Sequence, residues 1–278
     1  MSSPSWADAA LQQFDAIVQA TAGFRPRPGQ QQMATLVAQT FERAQLGKVA
    51  EGEGAPQRAL AVIQAGTGVG KSLAYCVPAI HVALARGTRV LISTATVALQ
   101  EQLVHKDLPT LAAQMPQPFA FALAKGRGRY VCKLKLERLL SGVGEDDDVV
   151  PDDLLAAEAA EQRLVRRSVA AQGERAQFYA SLAQSLASSQ WDGDRDQLPS
   201  PPEPELWASV AADAHTCTNK HCPLFAQCSY FERRKELVAA QVIVANHDLL
   251  LSSLGARVLP ELDNCLLVLD EAHHLPAT

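Results

Sequence analysis

Gln64-Ala65-Gly66-Thr67-Gly68-Val69-Gly70-Lys71-Ser72 lies between an apolar run, Arg58 to Gln64 (RALAVIQ), and a helix-forming stretch that begins at Lys71. A strand, a glycine-rich turn and a helix in that order form the unit with which an α/β sheet cradles a phosphate. Gly66, Gly68 and Gly70 let successive backbone N–H groups converge on an anion, and the dipole of the following helix favours the same charge. Lys71 would reach the outer phosphates and Ser72 would hold Mg²⁺. Ala65 stands where the strict pattern has its first glycine, and Thr67 and Val69 complete the loop.

Outward from this loop, strand-like and helix-like segments alternate, which predicts an α/β fold: a parallel sheet with helices on both faces. The expected strand over 58–64 is followed by a helix from Lys71 to Arg86, kinked at Pro78. Next come a strand from Thr88 to Ser93, a helix from Val97 to Ala113, and strands over Phe119–Ala124, Gln241–Ala245 and Cys265–Leu269. The near-continuous apolar character of the last two fits strands covered on both faces. Between the third and fourth strands the alternation lapses, so residues 125–236 are expected to be an insertion between 1–124 and 237–278. It contains a basic stretch, Lys125 to Arg138, an acidic loop, Glu145 to Asp148, and a helix-rich section from Pro151 to Gln190, broken or bent near Gly173. A proline-rich loop from Leu198 to Trp207 follows.

At 278 residues and 47% hydrophobic content the chain can bury a substantial core. Its net charge of -5 supplies no global attraction to nucleic acid, so any such binding would come from a local basic surface. No apolar run approaches the roughly 18 residues of a membrane span. The first twenty residues lack the basic and long apolar parts of a secretory signal, so a cytoplasmic location and no membrane partner are expected.

Cys217, Cys222 and Cys228 form C-x4-C-x5-C, with Cys132 far upstream at the start of the insertion. Four thiols drawn together in a reducing compartment point to a metal centre rather than disulfides. Structural zinc favours tight cysteine pairs, whereas a lone cysteine plus a wider triplet suits the larger footprint of an iron–sulfur cluster, and both remain open on spacing alone. His215 and His221 are read as bystanders, and Cys76 and Cys265 as core thiols.

The run Leu266-Leu267-Val268-Leu269-Asp270-Glu271-Ala272-His273 is an apolar strand ending in two carboxylates. Asp270 can bind Mg²⁺ directly or through water, Glu271 can polarise an attacking water as general base, and His273 would sense the γ-phosphate and relay its presence.

FRPRPGQ (24–30), AGTGVGKS (65–72), STATVALQEQL (93–103), KGRGRYVC (125–132), the cysteine triplet, VANH (244–247) and DEAHH (270–274) occur in one order. That order resembles the superfamily 2 helicases of the XPD-like iron–sulfur group, from about residue 24 to the end of the chain. The resemblance implies a RecA-like P-loop sheet interrupted by a helix-rich insertion, with ATP and Mg²⁺ at the loop and a 4Fe–4S cluster on Cys132, Cys217, Cys222 and Cys228. It implies that Gln30 reads the adenine edge with Arg25 in support. Thr94 and Thr96 would contact a DNA backbone, with Gln100 as a further contact, and Asn246 and His247 would couple the nucleotide and DNA sites. Arg129 and Tyr130, with Lys125, Arg127, Lys133 and Lys135, would line a single-strand path, Tyr130 offering a stacking face.

By the same resemblance the parent would be a monomeric ATP-dependent DNA helicase acting in DNA repair. It would move 5′ to 3′ on single-stranded DNA and unwind forked or hybrid duplexes, with a single-strand-binding protein as a partner. The chain stops at Thr278, so the arch, the second RecA-like lobe and its arginine finger are expected to be absent, and the 278 residues alone to be nearly inactive. Two other readings are a P-loop ATPase with a zinc site that works on protein, and a non-catalytic nucleotide- or DNA-binding module.

Overall fold

The computed structural model describes residues 5–20, 25, 27–47, 59–66, 68–141, 158–254, 259 and 264–275, with side chains of the longest helix from residue 173 onward. Its helices are, in chain order, α1 (Trp6–Ala20), α2 (Pro28–Arg43), α3 (Lys71–Ala85), α4 (Val97–Gln102), α5 (Leu108–Gln114), α6 (Lys133–Leu140), α7 (Glu158–Ala187), α8 (Pro204–Val210), α9 (Ser229–Ala239) and α10 (His247–Ser253). The strands are β1 (Arg89–Thr94), β2 (Phe121–Leu123), β3 (Val242–Asn246) and β4 (Cys265–Leu269). Two compact units result, residues 1–125 with 235–278, and residues 126–234.

The first unit is a four-stranded parallel sheet in the order β2-β3-β1-β4, flanked by helices as in the α/β RecA-like fold. Successive side chains of a strand point to opposite faces. Val90, Ile92, Val242, Val244 and Leu266 therefore share a core with α1, α2 and α3. Leu91, Ile243 and Ala245 pack on the other face against Leu237, Leu249 and Leu250. In α1, Ala7, Ala10, Phe14, Ile17 and Val18 repeat at helical spacing and are all buried. Burial of a side chain such as Phe14 contributes about 1.5–3 kcal/mol.

Four expectations are corrected. Residues 59–64 form no strand, and residue 58 lies outside the described residues. Leu60 and Val62 are 85% and 91% exposed. The segment does not join the sheet, in which β4 is an edge among the described residues, and an unpaired strand does not persist in water. The helix expected from Val97 is interrupted by a π-helical turn, Leu103–Asp107. Pro109 lies in the first turn of α5, and its missing N–H removes an i→i−4 bond there. α7 passes through Gly173 without a break, held by the Ala, Gln, Glu and Arg residues around it. The proline-rich loop ends early, because Pro204 starts α8 and carries Trp207 into the core of the second unit. The acidic loop Glu145–Asp148 and the start of the helix-rich section, 151–157, lie outside the described residues.

In the second unit Val131, Leu136, Tyr179, Leu182, Trp191, Trp207 and Val210 form the core. Trp191 and Trp207 meet edge to face at 6.4 Å. Each indole N–H finds a carbonyl: Trp191 Nε1 donates to Asp194 O and Trp207 Nε1 to Gly128 O, both at 2.7 Å.

Candidate functional site

The glycine-rich loop runs into α3 through Gly68 and Gly70, whose φ angles of 79° and 84° lie in the left-handed region that glycine adopts without steric cost. Thr67, directly before Gly68 in the loop, lies outside the described residues. Two side chains grip the loop from the start of α2. Arg27 Nη1 donates to Gly68 O, and Gln30 Nε2 donates to Gly70 O at 3.0 Å. Gln30 is fully buried, and its Oε1 is a buried acceptor with no partner among the described residues. Pro28 starts α2 and turns Gln30 inward.

The carboxylates at the end of β4 face this loop. Lys71 Nζ donates to Glu271 Oε1. Tyr75 OH donates to Asp270 Oδ2 at 3.1 Å, while the Asp270 N–H donates to Ser93 O at 2.8 Å and extends the β1–β4 ladder. Glu271 has φ 55°, a strained conformation for a residue with a Cβ, costing about 1–3 kcal/mol. His273 Nδ1 lies 3.4 Å from Glu271 Oε2. The hydrogen bond from Lys71 holds the Glu271 carboxyl below the usual carboxylate range. Burial pushes the Tyr75 hydroxyl up, aided by the negative charge that Cys76 and Asp270 can carry beside it.

Sequence reasoning missed two residues of this site. Tyr75 hid within the apolar face of α3, and Asp107 was one more aspartate on a helix. The π turn brings Asp107 to Ser72 and Gln102, which donate hydrogen bonds to it, while burial raises its pKa. The Leu-Pro pair directly after Asp107 was the available signal, since proline disturbs the register of the preceding turn.

Other expected contacts are engaged within the fold. Thr96 caps α4, its Oγ1 accepting from Leu99 N at 3.3 Å, and Thr94 Oγ1 donates to Thr96 O at 3.2 Å. Gln100, expected as a further DNA contact, is buried. Asn246 caps α10 by accepting from Leu249 N at 2.9 Å. His247 Nδ1 meets Ser93 Oγ at 2.7 Å, and its Nε2 is buried without a partner among the described residues. Arg25 is exposed.

The second unit holds the cysteines. Residues 130–131 form antiparallel bridges to Asp194 and Ala211, and Cys132 N donates to Val210 O at 2.7 Å, which fixes Cys132 at the head of α6. Cys228 directly precedes α9, so two of the four sulfurs sit at helix N-termini, where the dipole favours thiolate. Cys132, Cys217, Cys222 and Cys228 line one cavity. His215 and His221 do not line it, Cys76 is buried in the core of the first unit, and Cys265 is partly buried on β4. Burial pushes the Cys228 thiol up, while backbone N–H groups of Phe231 and Tyr230 donate to its sulfur and oppose that shift. Asn219 N donates to Cys217 Sγ at 3.4 Å. Among the described residues no three His, Cys, Asp or Glu side chains stand close enough to hold a metal ion as they are; the four sulfurs share a cavity rather than a closed coordination sphere.

The basic stretch is not an open stacking surface. Tyr130 is buried and packs against Tyr230 at 5.9 Å, because its place between two bridged segments turns the ring inward. Arg129 pairs with Asp196 at 3.0 Å, and Lys135 with Asp213 at 2.6 Å, which holds the Asp213 carboxyl well below the usual range.

The chain matches the DEAD/DEAH box helicase family over residues 38–117 and the DEAD_2 family over residues 209–278. The first match takes in the phosphate loop, and the second takes in Cys217, Cys222, Cys228, Asp270 and Glu271. It is 38% identical over 242 residues to the ATP-dependent DNA helicase DinG of Photobacterium profundum, covering 86% of this chain and 32% of that protein. It is 37% identical over 267 residues to DinG of Escherichia coli, covering 95% and 34%. With DinG of Salmonella typhimurium the identity is 37% over 257 residues, covering 91% and 32%. The chain thus spans about a third of the length of the curated relatives it matches.

Proposed function

Because this chain belongs to the DinG-type DEAD/DEAH box helicases, we propose that it carries the nucleotide site and a metal-cluster unit of an ATP-dependent DNA helicase. That helicase moves 5′ to 3′ on single-stranded DNA and opens forked or hybrid duplexes during DNA repair in the cytoplasm. The reading rests above all on one observation: the phosphate-loop lysine, Lys71, is in contact with Glu271 at the end of β4, beside Asp270.

In this reading the loop N–H groups and Lys71 bind the β and γ phosphates, and Lys71 exchanges its carboxylate partner for phosphate oxygen. Ser72 and Asp270 would hold Mg²⁺, which would offset phosphate charge, with Tyr75 orienting the Asp270 carboxylate. Glu271, released from Lys71, takes a proton from the attacking water. Gln30 offers its unpaired Oε1 to a donor on the base. Thr94, Thr96 and Arg129 are the proposed DNA contacts; Tyr130 is withdrawn as a stacking face because it is buried.

The cysteine cavity fits a 4Fe–4S cluster better than a disulfide pair or four unrelated thiols. Four cysteines line one cavity, two of them at helix N-termini, and backbone N–H groups donate to the sulfurs of two. Bound there, the cluster would tie the Cys217–Cys228 loop to the head of α6 and lend its one-electron chemistry to this unit. The bonds from Phe231, Tyr230 and Asn219 already hold Cys228 and Cys217.

Two measurements test the reading. Full-length protein should show ATP hydrolysis stimulated by single-stranded or forked DNA, abolished by Lys71→Ala; turnover indifferent to DNA would defeat the helicase assignment. The chain purified without oxygen should absorb broadly in the blue with matching iron and sulfide, lost on Cys222→Ser. A colourless protein carrying zinc would overturn the cluster.

A further inference from the structure

The cysteine cavity has a cationic member that neither metal ligation nor the nucleotide site uses. Arg127 lies in a single 3-10 turn, Arg127–Arg129. Its guanidinium carbon stands 4.5 Å from the centroid of the Tyr230 ring and 5.7 Å from that of Phe231. Both rings follow Cys228 in sequence, and both line the cavity together with Arg127 and the four cysteines. Stacking holds the guanidinium plane in place, yet Nη1 is buried and makes no hydrogen bond among the described residues. Asp213, the carboxylate on the cavity wall, is already engaged by Lys135 and Thr216.

A guanidinium keeps its proton and offers donors only, so a buried, unmade Nη1–H bond calls for an acceptor. Neutral thiols accept weakly. Thiolates that share a metal group carry excess negative charge on sulfur, which is the acceptor this geometry lacks. We propose that Arg127 is the cation that neutralises the anionic group held by Cys132, Cys217, Cys222 and Cys228, donating its Nη1–H to a ligating sulfur, an inference that rests on the metal reading above. Arg127 is thus a positioning residue. Hydrogen bonds and net charge at the sulfurs set how readily such a group is reduced and how firmly it is held.

The experiment compares the 278-residue chain with Arg127→Gln and Arg127→Lys, all purified anaerobically, by iron and sulfide content, midpoint potential and the rate at which a chelator removes iron. Arg127→Gln should lower the midpoint potential, because a fixed positive charge favours the reduced, more anionic state, and should speed iron loss roughly tenfold. Arg127→Lys should lie between. A glutamine variant with unchanged potential and release rate overturns the proposal. If that variant fails to fold, Tyr230→Leu serves instead, since it removes the ring beneath the guanidinium; a smaller shift in the same direction supports the proposal, and no shift overturns it. Should the unaltered chain carry zinc, the cluster reading fails separately, and the zinc-release rate tests Arg127 with the same expectation. A chain that binds neither metal overturns both.

Discussion

Lys71 donates to Glu271, so a triphosphate must compete with a carboxylate for the same ammonium group. Glu271→Gln should therefore bind ATP more tightly while losing hydrolysis. A partly exposed pair of this kind is worth about 0–1 kcal/mol, which sets the gain at no more than roughly fivefold. Loss of the general base should lower turnover by about 10²–10⁴. Nucleotide titration and phosphate release read the two effects separately. The pH dependence follows from the direction of the shift. Because the folded carboxyl titrates below its ordinary value, the pair is present above about pH 4.3 and is lost as pH falls through the lower folded value. The affinity gain should thus be flat between about pH 6 and 8. Tyr75→Phe removes the donor that orients Asp270 and should raise the Mg²⁺ concentration for half-maximal nucleotide binding about fivefold, as expected for a hydrogen bond of about 1 kcal/mol. That Lys71 would stand near Asp270 and Glu271 was legible because glycine spacing and an apolar strand ending in carboxylates are local patterns. Tyr75 and Asp107 were not, since their roles come from a helix face and a π turn that only the packed chain creates.

Two glycines show how the elements differ in tolerance. Gly193 has φ 96°, and a Cβ added there would stand 2.3 Å from Ser229 Oγ and 2.7 Å from Ser229 Cβ. Its carbonyl accepts from Val131 N at 2.9 Å, one residue before Cys132. Gly193→Ala should destabilise the second unit by about 2–4 kcal/mol, combining left-handed strain with overpacking, and should loosen the cysteine cavity. Gly173, in α7, has nothing within 4 Å of such a Cβ, so Gly173→Ala should stabilise by about 0.5–1 kcal/mol. Urea unfolding followed by tryptophan fluorescence separates the signs, since Trp191 and Trp207 report on this core. The strands β1, β3 and β4 were readable because VLI, VIVA and LLVL are apolar runs; β1 and β3 are covered on both faces as such runs imply, whereas the edge strand β4, expected to be covered too, leaves Leu267 and Leu269 partly exposed. ALAVIQ has the same character but not the same fate, because strand formation depends on a neighbouring edge that composition does not reveal.

At the scale of the molecule, residues 59–64 lead into the phosphate loop without a ladder, and Leu267 and Leu269 on the edge strand β4 are 43% and 38% exposed. The loop is thus anchored firmly at α3 and by Arg27 and Gln30, and loosely at its start. A loop that must be ordered as it binds spends part of its interaction free energy on that ordering, so the 278 residues alone should bind Mg²⁺–ATP more weakly than a longer relative such as DinG of Escherichia coli. Turnover should suffer more. The transition state of phosphoryl transfer spreads charge over the γ-phosphoryl oxygens, and a single lysine meets it incompletely. Lys71 supplies one cation, while Arg27 is engaged by the Gly68 carbonyl. Relatives about three times as long have room for a further arginine beside the nucleotide, a contribution of about 10³–10⁵ in rate where such a residue is used. The 278 residues alone should therefore bind nucleotide yet hydrolyse it at least roughly a thousandfold more slowly than a longer relative such as DinG of Escherichia coli, with or without single-stranded DNA. Phosphate release from both proteins, at saturating ATP and matched DNA, decides the matter: DNA-stimulated turnover by the 278-residue chain within about tenfold of the longer relative would mean that its own residues already complete the catalytic charge.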